Sequence, residues 1–132
     1  MFDNINALPA AYFDDPRVIV EKFLPEMDGN LYCVNFYKFL GDEHLTQKLW
    51  STKPVITGAG IVKRGTIDTD PDVMAIRHDL KIDYGKLDYC IYNGKPVLFD
   101  VNKTVGLSRI RRTPDEIARI HQRAEGIDCY FE

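Results

Sequence analysis

The stretch 86-KLDYCIYNGKPVLFDVNK-103 decides the fold: two runs of alternating residues joined by Asn93-Gly94. One parity carries Leu87, Tyr89, Ile91 and, past the turn, Val97, Phe99 and Val101; the other carries Lys86, Asp88, Cys90 and then Leu98, Asp100 and Asn102. A two-residue Asn-Gly turn pairs Tyr92 with Lys95, puts Leu87 and Asp100 on one face and sets Asp88 beside Phe99. A three-residue loop, for example Tyr92-Asn93-Gly94 with Gly94 left-handed as a bulge, shifts the pairing by one and gathers all six apolar residues on one face. Burial therefore selects the odd-length loop. The same register brings Lys86, Asp88, Asp100 and Asn102 together on the opposite face.

Two carboxylates and an amide oxygen converging from neighbouring strands form a hard, all-oxygen set that suits Mg²⁺ or Mn²⁺ rather than zinc. A lysine beside them offsets phosphate charge. The competing reading is the wet face of an antiparallel hairpin, where charged residues are expected.

Upstream, Asp70-Pro71-Asp72 opens a short helix with Val73, Ile76 and Leu80 at helical spacing, and His78 on it reads as a surface or capping residue. Residues 52–69 contain Pro54, Gly58, Gly60 and Gly65 and read as a long loop with one short strand near 60–63; Lys53, Lys63 and Arg64 within it read as solvated. Residues 31–40 form a long aromatic strand, turned by Gly41-Asp42-Glu43 into a second strand over 44–51; this hairpin reads as core. Before it, Val18-Ile19-Val20-Glu21-Lys22-Phe23-Leu24 reads as a β-branched strand ended by Pro25, with 26–30 as a turn. Residues 1–16 are an irregular lead-in. Downstream, Lys103 to Ser108 is a polar loop, and Thr113-Pro114-Asp115-Glu116 is a capping box that starts a helix running to Gly126. The tail 127–132 is read as either a short strand or disordered.

The pattern Lys86-x-Asp88, strand, turn, strand, Asp100-x-Asn102 and a Gly-containing loop resembles the metal-binding end of the ATP-grasp fold. The resemblance implies Asp88, Asp100 and Asn102 as ligands of Mg²⁺ (or Mn²⁺) and Lys86 as a phosphate contact; Asp100 stands where the family usually has Glu. Val20 to Leu24, followed by an acidic turn and a long strand, looks like the family's adenine hinge. This implies ATP contacts from Glu21, Lys22, Phe23 and Leu24, with Glu26 or Asp28 for the ribose. The likeness runs from about residue 18 to about 106 and corresponds to the carboxy-terminal half of an ATP-grasp unit. The amino-terminal subdomain with its phosphate-gripping lysines and glycine-rich lid is missing, so the chain is read as a fragment of a longer protein or a reduced version. Residues 17–132 form one domain.

The fold class expected is α+β, a mostly antiparallel sheet with two or three helices packed on one side. The function implied is the ATP- and Mg²⁺-binding portion of a carboxylate–amine (or thiol) ligase working through an acyl phosphate, inactive in isolation. A non-catalytic nucleotide-binding or interaction module that keeps the fold is the alternative. The carboxylate and amine or thiol substrates are unspecified, and homo-oligomer formation stays open.

Composition sets the outer bounds. A chain of 132 residues with 45% hydrophobic and 28% charged residues is one soluble domain's worth. A net charge of −3 gives no electrostatic case for nucleic acid or an anionic membrane, and Arg109, Arg111 and Arg112 are too few to make a patch. The cysteines, Cys33, Cys90 and Cys129, are odd in number and lack C-x-x-C spacing, which points to a reduced, cytoplasmic protein. No signal-peptide pattern and no run near the ~20 apolar residues of a membrane span is present.

Overall fold

The computed structural model describes residues 4–105 and 113–131. Among them is one six-stranded sheet in which every pairing is antiparallel. The strands are β1 (Glu26–Asp28), β2 (Leu31–Leu40), β3 (Glu43–Ser51), β4 (Ile61–Ile67), β5 (Tyr84–Tyr92) and β6 (Lys95–Asn102). Their order is β4-β3-β2-β5-β6, with β1 on the β2 edge that β5 also uses. Helix α1 is a single turn (Ala11–Asp14); α2 (Pro71–Asp79) and α3 (Pro114–Glu125) are the longer ones. The fold is thus α+β, as expected. No helix among the described residues is long and apolar enough to cross a membrane.

The core lies on the face where α2 packs. Tyr37 and Phe39 of β2 and Leu87 and Tyr89 of β5 are buried together with Val73 of α2 and Ile82 just after it. Both helices begin as their sequences dictate. The Asp70 carboxylate accepts from the Asp72 amide, and Thr113 with Glu116 closes a reciprocal capping box. Gly126 ends α3 against the β2–β3 turn, where a Cβ would collide with the Leu40 carbonyl oxygen and come 2.9 Å from Glu43 Cβ. Gly126→Ala is therefore expected to detach α3 from the sheet. The check is amide hydrogen exchange, in which α3 protection should collapse while that of β5 stays.

Several expectations change. The hairpin turn has two residues, not three: Asn93 (φ 52°) and Gly94 (φ 74°) are both left-handed, and Tyr92 pairs with Lys95. Asn-Gly is the pair best suited to such a turn, so nothing forces a longer loop. The register shift comes instead inside the strand, where Phe99 is an extra residue between Leu98, opposite Tyr89, and Asp100, opposite Asp88. The six apolar residues consequently do not share a face. Val97 opposes Cys90, Leu98 packs on the core, and Phe99 is 53% exposed.

Residues 18–24 form no strand, and β1 is Glu26–Asp28, inside the expected turn. The reason is competition for one edge. β1 pairs Leu31 to Cys33 of β2, and from Asn35 onward that edge belongs to β5. The strand near 60–63 extends over Ile61–Ile67. The lead-in holds a 3-10 turn (Ile5–Ala7) besides α1, and the tail holds another (Asp128–Tyr130) rather than a strand. Gly106 and Arg109, Arg111 and Arg112 lie outside the described residues.

Candidate functional site

The site face is the one opposite the core. β5 supplies Lys86 and Asp88, β6 supplies Asp100 and Asn102, and the bulge at Phe99 puts Asp88 directly across from Asp100 and Lys86 across from Asn102. Directly opposed residues in such a ladder have Cα atoms roughly 4.5–5.5 Å apart, which puts the two side chains within reach of one another. The β2 partners complete two rows on the same face: Phe36 beside Asp88, and Lys38 beside Lys86.

Lys86 Nζ donates to Asp88 Oδ2 at 2.8 Å and lies 4.9 Å from the Phe36 ring centroid. Asn102 Nδ2 donates to Asp100 Oδ2 at 2.6 Å, which leaves its amide oxygen as the atom a hard cation would take. Asp88 Oδ1 is buried and has no hydrogen-bond partner. Burial pushes the Asp88 carboxyl above its ordinary value, opposed by Lys86 and reinforced by Asp100. Lys38 is pushed down by burial, then by the like charges of Arg123 and Lys86. Among the described residues Lys38 forms no ion pair. Lys38, Lys86 and Asp88 thus share a half-dry surface, with exposed Asp100 at its edge and one Asp88 oxygen unpartnered.

An orphaned, desolvated carboxylate oxygen on a residue paired across the strands with a second aspartate is a fit for a divalent cation, which would supply the missing partner. Asp88, Asp100 and Asn102 are the residues that would hold it. No group of three or more His, Cys, Asp or Glu gathers at one point among the described residues, so a cation here would rely on the amide and on ligand or solvent oxygens.

The expected hinge lies next to this face. Cys90 Sγ donates to the Leu24 carbonyl at 3.0 Å, and Cys90 is two residues along β5 from Asp88 on the same side. Burial raises the Cys90 thiol to about 11, so it is an inert prop. Glu21, Lys22 and Phe23 line a groove of about 910 Å³ whose other wall includes Ile5, Leu8 and Tyr12 of the lead-in.

Glu26 is not in that groove. Its Oε2 accepts from Asn35 Nδ2 and from the Ile91 amide, both at 2.7 Å, and its Oε1 accepts from Lys48 Nζ. Asp28 likewise accepts from Trp50 Nε1 at 2.7 Å. Both acids are engaged by partners on the sheet, Glu26 buried and Asp28 exposed, and both staple β1 to it. Lys63 lies over the Trp50 ring at 4.3 Å, and His78 is exposed.

Sequence reasoning did not single out Lys38 and Phe36. Their signal was available: in an antiparallel β2–β5 pair, even-numbered residues of both strands share a face, but that pairing links segments some fifty positions apart and has no local cue. No family model, no curated protein and no solved structure matches the chain.

Proposed function

We propose that this chain is the ATP- and Mg²⁺-binding portion of an ATP-grasp carboxylate–amine (or thiol) ligase. The observation that carries the reading is the β5–β6 register, which joins Asp88, Asp100 and Asn102 around a buried carboxylate oxygen that lacks a partner. A second support is the placement of residues 21–24 beside the same sheet face, bordering a groove large enough for a nucleoside.

In this reading Asp88, Asp100 and Asn102 take the cation, and Lys86 and Lys38 take phosphate oxygens. The backbone of Lys22 to Leu24 meets the adenine edge. Glu21, the carboxylate bordering the groove, takes the ribose in place of Glu26 and Asp28. A bound divalent cation would neutralise phosphate charge and polarise the transferring phosphoryl group. The chain's own contribution is positional: the Lys86–Asp88 pair holds the carboxylate in place, and the sheet excludes water from it. Turnover requires the phosphate-gripping subdomain of the fold, so binding without catalysis is the expected behaviour of these residues alone.

Calorimetric titration tests this. ATP with Mg²⁺ is expected to bind, and ATP with excess chelator to bind at least about tenfold more weakly, because the phosphate charge is then met by lysines alone. Equal affinity with and without Mg²⁺ would remove the metal from the account. A stable self-associated protein indifferent to nucleotide would favour the interaction-module reading.

A further inference from the structure

On the core face, away from Asp88, α2 leaves a cleft of about 360 Å³ above β2 and β3, bordered by Tyr37, His44, Arg77, His78, Lys81 and Asp83. Arg77 is one of its lining residues. Arg77 donates through Nε to the Ile82 carbonyl at 3.0 Å and through Nη2 to the Gly41 and Asp83 carbonyls at 2.7 and 3.4 Å. Nη1 donates to the Tyr37 hydroxyl at 3.3 Å, and the guanidinium lies 4.2 Å from the Phe39 ring centroid. Every one of these acceptors is neutral. Among the described residues no carboxylate forms an ion pair with Arg77, and Asp83 is the acid that borders the cleft with it.

The rim carries both basic and acidic groups. His44 has Nδ1 at 3.2 Å from the Asp42 carbonyl, which turns Nε2 away from the backbone, and His78 and Lys81 are exposed around it. The nearby acids are Asp83, whose carboxylate lies beside the Tyr130 hydroxyl, and Asp79, 3.8 Å from His78 with both side chains in solvent.

An independent observation concerns Lys81. The Lys81 amide bonds the His78 carbonyl and the Ile82 amide bonds the Arg77 carbonyl, the double closure that ends a helix through a left-handed residue. The left-handed residue is Lys81, at φ 52°. Glycine is the favoured occupant there, and a lysine in its place is backbone strain carried beside the Arg77 cleft.

We propose that this cleft is an anion site for a compact dianion, a phosphate or a dicarboxylate, with Arg77 as the half-buried charge and Lys81 as the exposed cation at the rim. The site is separate from the Asp88 face and does not depend on the nucleotide reading.

Removing Arg77 would unlock α2, so the variant to make is Lys81→Gly, which suits the backbone and deletes the rim charge. Inorganic phosphate and malonate are titrated separately into the full chain at neutral pH, with amide and imidazole NMR signals followed. Saturable shifts at His44, Lys81 and Ile82 are expected; response to one probe and not the other assigns the class. Lys81→Gly should melt higher than wild type yet bind the responding probe at least about threefold more weakly. Asp100→Ala should bind it as wild type does. No saturable response at tens of millimolar of either probe, shifts confined to Lys38 and Lys86, or unchanged affinity in Lys81→Gly would each overturn the proposal.

Discussion

Glu26→Ala is expected to destabilise the protein by about 3–5 kcal/mol, the cost of removing one partner of a buried ion pair. Lys48 and Glu26 have side chains only 17% and 10% exposed, so deleting the carboxylate strands a cation in a poorly hydrated place. It also orphans the Asn35 side-chain amide and the Ile91 amide, which β6 does not reach and Glu26 satisfies. Glu26→Gln should cost less, because an amide oxygen can still accept from Asn35 and Ile91 while only the charge pairing with Lys48 is lost. Denaturant unfolding of the three proteins checks this. A loss under about 1 kcal/mol for the alanine variant would mean that Glu26 behaves as a surface acid, in the range of exposed ion pairs.

Asp88→Asn is expected to move stability and metal affinity in opposite directions. Burial raises the Asp88 carboxyl above its ordinary 3.8, so the folded chain holds that proton more tightly than the unfolded chain does. The stability this group contributes is present below the unfolded value and is lost as pH rises through the raised folded value. At neutral pH the ionised carboxylate is therefore a net burden on the metal-free fold. Asparagine removes the burden, and the metal-free variant should melt above wild type at pH 7 but not at acidic pH. Mg²⁺ affinity should fall by at least about a hundredfold, since losing even a supporting residue around a metal commonly costs 10–100-fold. Thermal melts with and without Mg²⁺–ATP separate the two effects. A variant less stable than wild type at neutral pH would show that the Lys86–Asp88 pair outweighs the burial of the charge.

Much of the framework was legible in the sequence because its signals are local. Both longer helices announce themselves through Asp70-Pro71 and the Thr113–Glu116 box, and the β2–β3 hairpin through a long apolar strand returned by Gly41 (φ 52°). The convergence of Lys86, Asp88, Asp100 and Asn102 was also legible, although by a different route. Asn93-Gly94 takes its preferred two-residue turn, and the extra residue sits at Phe99, where no residue type marks a bulge. What could not be read depended on distant competition. Val18 to Leu24 has strand composition yet no edge to join, because β5 occupies the β2 positions it would need. Glu26 looked like a free acid in a turn, and only the folded sheet shows Lys48, Asn35 and Ile91 converging on it.

The candidate site and the buried staple divide the acids of one small sheet between two tasks. Glu26 is fully partnered and holds β1 in place. Asp88, across the strand pair from Asp100, keeps one oxygen unpartnered, and that oxygen is the one proposed to take a cation.

Mn²⁺ in place of Mg²⁺ offers the most direct measurement, because its paramagnetism broadens nearby amide signals in proportion to proximity. With ATP present, substoichiometric Mn²⁺ is predicted to erase the amides of Asp88, Asp100 and Asn102 first, with shifts but little broadening at residues 21–24. Broadening centred elsewhere, for example on Asp68, Asp70 and Asp72 around the start of α2, or uniform broadening without a centre, would contradict the assignment of this sheet face as a metal–nucleotide site.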